Sequence, residues 1–152
     1  MGMKIDKLLS FGKEIISICD ENGITPILYG SYLYCYYTQD KKVVPHDIDF
    51  YVPKGFNEKM IKILKKRKIK YKYLKEWYCL MINKGDLKVD LDEIDFLYKG
   101  PKDFKIFNFD GMNIKCLSLK GLISIYKRSM RLSNEPEKSR YKIKYEALKK
   151  IR

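Results

Sequence analysis

The sequence is poor in the residues that build zinc sites and disulfide frameworks. Its 152 residues include one histidine, His46, and four widely spaced cysteines with no C-x-x-C pair. Structural zinc is held by clustered cysteine and histidine ligands, so this composition argues against a zinc site. Free cysteines are usually small buried groups, and we expect reduced, mostly buried thiols at all four positions: Cys19, Cys35, Cys79 and Cys116.

Long apolar runs and an excess of acid are also missing. No stretch approaches the roughly 18–20 apolar residues that span a membrane. Residues 1–11 mix charged and apolar side chains, unlike a signal peptide. Lysine and arginine number 32 against 19 aspartates and glutamates, for a net charge of +13. We therefore expect a cytoplasmic protein with no membrane partner, whose field attracts anions such as nucleotides or nucleic acid.

The length and the pattern of apolar residues predict a single domain over 1–152 with an α+β (mixed α/β) fold. Helical spacing predicts helices over 3–22, 55–68 and 140–151, and a helix that Ser118 caps. For Tyr32 to Tyr37 we favour a short helix, because Ser31 is a suitable N-cap. Short apolar or alternating runs predict strands at Ile24–Tyr29, Asp47–Val52, Tyr71–Glu76, Tyr78–Ile82, Leu87–Asp92, Phe104–Phe109 and Met112–Cys116.

Two aspartates open the second predicted strand, in Asp47-Ile48-Asp49. Residues two apart on a strand point to the same face, so both carboxylates project together. Close carboxylates repel each other, and a divalent cation relieves that repulsion. Magnesium prefers carboxylate oxygens and commonly bridges them to substrate phosphates. The pair is therefore a candidate half-site for phosphate-bound Mg²⁺.

A third carboxylate is expected from the run Leu87 to Asp92, in which apolar and polar residues alternate. Asp90 and Asp92 share one face of that strand, and either could join the pair. We prefer Asp90, because it lies inside the apolar strand. Asp92 is nearer the strand end, and Glu93 and Asp95 suggest a turn into solvent.

Gly30 and Ser31 follow the first apolar strand and open the predicted short helix. Glycine lets a phosphate approach the backbone closely, and the free N–H groups of a helix start attract anions.

The ordered set Tyr29-Gly30-Ser31, His46-Asp47-Ile48-Asp49-Phe50 and Val89-Asp90-Leu91 resembles the nucleotidyltransferase superfamily that includes DNA polymerase beta. Fifteen residues separate Ser31 from Asp47, a spacing that looks like that of the lincosamide and aminoglycoside adenylyltransferases. The resemblance runs from about Ile27 to Tyr126. It implies a small mixed sheet flanked by helices.

The resemblance also implies roles for the quoted residues. Gly30 and Ser31 would bind a nucleoside triphosphate, and Asp47, Asp49 and Asp90 would hold Mg²⁺. Asp90 could also accept the proton of an attacking hydroxyl. The implied reaction is transfer of a nucleoside monophosphate to a hydroxyl acceptor.

The acceptor is not given by the motifs. A charge of +13 repels a polycationic drug, so we expect an anionic or neutral acceptor and favour nucleic acid over an aminoglycoside. The short chain leaves little room for an acceptor domain, so a second subunit or a partner protein could complete the site. The alternative function is a non-catalytic protein on the same fold that binds nucleic acid or joins a complex.

Overall fold

A computed structural model describes residues 2–93 and 103–151, the side chains of residues 2–4 excepted. Within those ranges the chain forms five α-helices, seven β-strands and a short 3₁₀ turn at Lys75–Trp77. The helices are α1 Gly2–Glu21, α2 Gly30–Thr38, α3 Phe56–Lys66, α4 Leu119–Leu132 and α5 Glu137–Lys149. The strands are β1 Ile27–Tyr29, β2 Asp47–Val52, β3 Lys70–Leu74, β4 Cys79–Lys84, β5 Leu87–Glu93, β6 Phe104–Phe109 and β7 Met112–Leu117.

The strands form one seven-stranded mixed sheet in the order β3-β4-β5-β2-β1-β7-β6. The outer pairs β3–β4, β4–β5 and β6–β7 are antiparallel hairpin partners. In the centre, β2 pairs in parallel with β5 and antiparallel with β1, and β1 pairs in parallel with β7. The expectation of an α+β fold with a mixed sheet flanked by helices is confirmed.

The two faces of the central sheet have different chemistry, because side chains alternate along each strand. Ile48 and Phe50 of β2 point to the face covered by α1, where a Cβ added to Gly12 would lie 3.1 Å from Ile48 Cδ1. Both side chains are fully buried there, in the apolar core. The opposite face carries Asp47 and Asp49. The core and the acidic residues therefore occupy opposite sides of one strand.

Several element boundaries differ from those expected by one to three residues, including the starts of β1, α2 and α5. The first strand covers only Ile27–Tyr29, since Pro26 before it has no N–H to give to the sheet. Helix α2 begins at Gly30 with Tyr29 as its N-cap and no side-chain cap, so the assignment of Ser31 as N-cap is wrong. Helix α5 begins at Glu137, three residues earlier than expected. Ser118 caps α4 as expected, with Oγ accepting a hydrogen bond from Gly121 N at 3.0 Å.

All four cysteines are free thiols. Cys19 and Cys116 are buried, whereas Cys35 and Cys79 are only partly buried. No helix in the described parts of the chain has both the length and the apolar character needed to cross a membrane.

Candidate active site

The register between β2 and β5 brings the acidic residues together. The strands run parallel, with Asp47 opposite Lys88 and Asp49 opposite Asp90, so these side chains share one face. One carboxylate oxygen from each of Asp47, Asp49 and Asp90 lies within 4.8 Å of the others. The structure therefore assembles three carboxylates that the chain separates by up to 43 positions.

Burial and mutual repulsion make this cluster costly to ionise. Burial raises the pKa of Asp49 well above its ordinary value, and the charges of Asp47, Asp90 and Asp92 raise it further. Burial likewise raises the pKa of Asp90 to about 7, although its contact with Asp49 opposes the shift. Asp90 is 7% exposed, and no described residue donates a hydrogen bond to its Oδ1. An unpartnered buried carboxylate oxygen beside two other carboxylates fits a hard divalent cation.

Asp92 shares the face of Asp90 but has other partners. Its carboxylate accepts a hydrogen bond from the Tyr29 hydroxyl, and the Tyr29 ring stacks on Tyr51 with centroids 3.8 Å apart. Asp92 is absent from the group of carboxylates whose oxygens lie within 4.8 Å of one another, so the geometry favours Asp90 as the third carboxylate.

The expectation that Glu93 turns into solvent is wrong. Strand β5 continues to Glu93, and the side chains of Asp92 and Glu93 are both buried. Glu93 Oε1 accepts a hydrogen bond from Gly55 N at 2.8 Å, which satisfies that carboxylate inside the fold. Asp95 lies outside the described residues.

Gly30 lies directly against the acidic cluster at the start of α2. Its φ of +77° is one that L side chains rarely adopt, and an added Cβ would lie 2.2 Å from Asp49 Oδ2. Only glycine fits this position without moving Asp49. Ser31 follows in the first turn, so the free N–H groups of α2 open beside the carboxylates.

Lys144 of α5 reaches the same helix start. Its Nζ donates a hydrogen bond to Ser31 Oγ at 2.9 Å and lies 5.6 Å from the ring centroids of Tyr34 and Tyr126. Burial lowers the pKa of Lys144, while Cys35, Asp49 and Asp47 pull it upward. A partly desolvated ammonium next to a helix N-terminus favours an anionic ligand.

Lys88 is a second cation, placed among the carboxylates themselves. Its Nζ lies 3.3 Å from Asp47 Oδ2 and 3.8 Å from Asp90 Oδ2. Partial burial lowers the pKa of Lys88, but the charges of Asp90 and Asp47 outweigh it and the pKa is raised overall. The side chain is therefore a charged ammonium.

A cleft of about 770 Å³ opens over Gly30, Ser31 and Asp49. Helices α4 and α5 supply its far wall, including Arg128, Arg140 and Lys144. Trp77, the only tryptophan in the chain, lines it from the sheet side and is 60% exposed. Three cations, Arg128, Arg140 and Lys144, therefore line the cleft together with two carboxylates, Asp49 and Glu137.

The arrangement of sheet and helices recurs in solved structures. The lincosamide adenylyltransferase LnuA, solved with lincomycin bound, superposes with a TM-score of 0.63 at 17% identity, over 96% of this chain and 97% of that one. The chain has the nucleotidyltransferase fold. The antibiotic-resistance factor ANT(2″)-Ia matches 95% of this chain and 83% of its own with a TM-score of 0.66 at 15% identity.

A third structure with the nucleotidyltransferase fold is an antigenic nucleotidyltransferase-like protein from Paracoccidioides brasiliensis. It superposes with a TM-score of 0.67 at 11% identity, over 94% of this chain and 75% of that one. No protein-family model matches the chain, and no curated protein matches it in sequence.

Sequence reasoning missed both lysines of the site. Lys88 carried a usable signal, because it lies two residues before Asp90 and hence on the same face of the strand. Lys144 carried no such signal, since nothing in the sequence of a basic helix marks which of its lysines turns towards Ser31. His46, adjacent to Asp47, is exposed and does not line the cleft.

Proposed function

We propose that the protein is a Mg²⁺-dependent nucleotidyltransferase that moves a nucleoside monophosphate from a nucleoside triphosphate to a hydroxyl acceptor. The observation that carries this proposal is the cluster of Asp47, Asp49 and Asp90 beside the start of α2. A cation site and an anion site in contact are what a metal–triphosphate complex requires. The nucleotidyltransferase fold supports the same reaction class.

The three carboxylates would hold the metal. The unpartnered Oδ1 of buried Asp90 supports this role. The pKa of Asp49, which burial and the neighbouring carboxylates raise, is consistent with a site that a cation would stabilise. When bound, Mg²⁺ would neutralise phosphate charge and favour attack on the α-phosphorus. Asp49 touches the backbone at Gly30, so the metal and the phosphate-binding backbone would be held in a fixed relation.

Ser31, Lys144 and the N–H groups of α2 would bind the triphosphate. The Ser31 hydroxyl and the Lys144 ammonium are already 2.9 Å apart, so two donors converge on one place. In the reaction, the acceptor oxygen attacks the α-phosphorus and the bond to the β-phosphate oxygen breaks. Pyrophosphate leaves, and Asp90 accepts the hydroxyl proton. Most of the rate enhancement would come from positioning and charge neutralisation.

For the acceptor, charge favours an anionic or neutral compound. Arg128 and Arg140 line the cleft, and neither has an acidic partner among the described residues. Asp92 and Glu93, which could have offset them, are buried and bound to Tyr29 and Gly55. We therefore propose nucleic acid ahead of a polycationic aminoglycoside, although ANT(2″)-Ia has been solved with adenylyl-2″-tobramycin. A second subunit or a partner protein could complete the acceptor site.

The non-catalytic alternative has less support, because it gives no role to three clustered carboxylates. Equilibrium dialysis with labelled ATP, GTP, CTP and UTP, in Mg²⁺ or in EDTA, tests the nucleotide half of the proposal. We expect Mg²⁺-dependent binding that Asp49→Asn abolishes and that Asp20→Asn, an exposed aspartate of α1, leaves intact. Binding that is equal in EDTA and Mg²⁺ would contradict the metal role.

The acceptor is tested by pyrophosphate release with RNA, protein, lincosamide and aminoglycoside acceptors in parallel. RNA binding should weaken steeply with salt, because each neutralised phosphate releases counterions. Robust drug modification together with absent or salt-independent RNA binding would overturn the proposed acceptor class and leave the reaction class standing.

A further inference from the structure

Lys88 places a positive charge where a metal ion would bind. It precedes Asp90 by two residues on β5 and is the register partner of Asp47 on β2, so all three side chains share one face. Its Nζ is 3.3 Å from an oxygen of Asp47 and 3.8 Å from an oxygen of Asp90. A metal ion and this ammonium would compete for the same two carboxylates.

The ammonium cannot move far from the cluster. Strand β5 is paired on both sides, with β2 and with β4, so the Cα of Lys88 is fixed in the interior of the sheet. Its side chain is 30% exposed, and its Nζ stays next to Asp47 and Asp90. Its charge therefore acts on the site whether or not a metal is bound.

We propose that Lys88 makes the site selective for the metal–triphosphate complex over the bare metal ion. This inference rests on the proposed function. A bare Mg²⁺ ion is repelled by the nearby ammonium and must displace it from two carboxylates. The complex of Mg²⁺ with a triphosphate is an anion overall, so the same ammonium attracts it. Lys88 thus weakens binding of the metal ion alone and strengthens binding of the metal ion together with the triphosphate.

The two effects have opposite signs, which makes them measurable. Two unit charges a few ångströms apart interact appreciably at a protein surface, and solvent at a partly exposed side chain reduces this interaction strongly. Removal of the Lys88 charge should therefore tighten binding of a bare dication by about tenfold. Binding of the metal–triphosphate complex should stay unchanged or weaken by a few-fold.

The test uses Mn²⁺ as the probe, with free Mn²⁺ followed by electron paramagnetic resonance. The full chain is titrated with Mn²⁺ alone, which the free Mn²⁺ signal measures. A separate equilibrium dialysis measures binding of Mn²⁺ saturated with a labelled ATP analogue that carries a methylene bridge between its α and β phosphorus atoms. We compare wild-type protein with Lys88→Met, which removes the charge, and Lys88→Arg, which keeps it. We expect Lys88→Met to lose most of the preference for the complex and Lys88→Arg to retain it.

Lys84→Met is the matched control. Lys84 belongs to the same β4–β5 hairpin, but its register partner is Leu87, and its Nζ pairs with Glu14 at 3.2 Å on the α1 side of the sheet. Loss of one lysine charge there should leave both Mn²⁺ affinities at wild-type values. Circular dichroism of each variant checks that the fold is retained.

Each other outcome counts against the inference. If Lys88→Met leaves the ratio of the two affinities unchanged, or weakens both alike, the selectivity role is wrong and Lys88 only holds the carboxylates in place. If wild-type protein binds Mn²⁺ but not its complex with the analogue, the proposed function fails as well. If the wild-type protein binds the complex and Lys88→Met changes neither affinity, the inference fails while the proposed function stands.

Discussion

Replacement of Asp49 by asparagine should stabilise the protein when no metal is present. At an effective dielectric constant of about 20, two unit charges separated by the 4.8 Å limit of the cluster repel by about 3.5 kcal/mol. Asp49 faces Asp47 on its own strand and Asp90 on the next one, and Lys88 offsets part of this repulsion. Because Asp49 is partly exposed, we discount the gain to about 1–2 kcal/mol.

The assay is urea unfolding in EDTA at pH 8, followed by far-UV circular dichroism. For a chain of this size, a gain of 1 kcal/mol corresponds to a rise in Tm of about 2–4 °C. With Mg²⁺ and a triphosphate the wild-type protein should be more stable than Asp49→Asn, because the ligand stabilises only the protein that binds it. Asp20→Asn serves as the control for loss of one negative charge at an exposed site.

The decisive comparison is between the two conditions. A loss of more than about 1 kcal/mol by Asp49→Asn in EDTA would show that Asp49 has a structural role, since loss of a repelled carboxylate cannot cost that much. Equal gains in EDTA and with ligand would show that the metal–triphosphate complex does not bind at this residue.

Three further outcomes follow from the site. Gly30→Ala should lower the free energy of unfolding by about 1–3 kcal/mol, because it adds a Cβ 2.2 Å from Asp49 Oδ2 at a positive φ; urea unfolding measures this, and an unchanged midpoint would contradict the close approach. Lys144→Met should weaken triphosphate binding about tenfold without lowering the affinity for bare Mn²⁺, because the lost ammonium repels a dication. Dialysis and electron paramagnetic resonance measure the two affinities, and equal losses in both would refute a phosphate role. In EDTA, the free energy of unfolding should fall as the pH rises from about 4 to about 7, because the pKa of Asp90 is about 7 in the folded chain and ordinary in the unfolded one. The unfolded state therefore loses its proton at a lower pH than the folded state, which favours unfolding in this range. A urea midpoint that stays constant between pH 5 and 8 would contradict this.

The acidic cluster was predictable because it depends on a two-residue period. Asp47 and Asp49 must share a face of any strand that contains them, and so must Asp90 and Asp92. The choice between the last two is decided by strand register and by Tyr29, which binds Asp92. The register depends on pairing between strands about forty residues apart in the chain, and local sequence patterns do not indicate which residues of the two strands will be partners.

The helix start shows a different limit. A serine after glycine is a common N-cap, and the pattern led to that assignment for Ser31. In the structure Gly30 takes a left-handed conformation against Asp49, the helix starts two residues earlier, and the serine hydroxyl accepts a hydrogen bond from Lys144. Tertiary contacts with β2 and α5 decide the local geometry, and the sequence around Gly30 and Ser31 does not indicate them.

The position of Trp77 makes the chain its own optical reporter. Since the only indole is at the mouth of the cleft and is largely in water in the folded state, its emission should change little when the protein unfolds. A nucleotide or acceptor that enters the cleft would instead cover or quench it. Intrinsic fluorescence, usually read as a measure of folding, would here report occupancy of the cleft, with no label attached to protein or ligand.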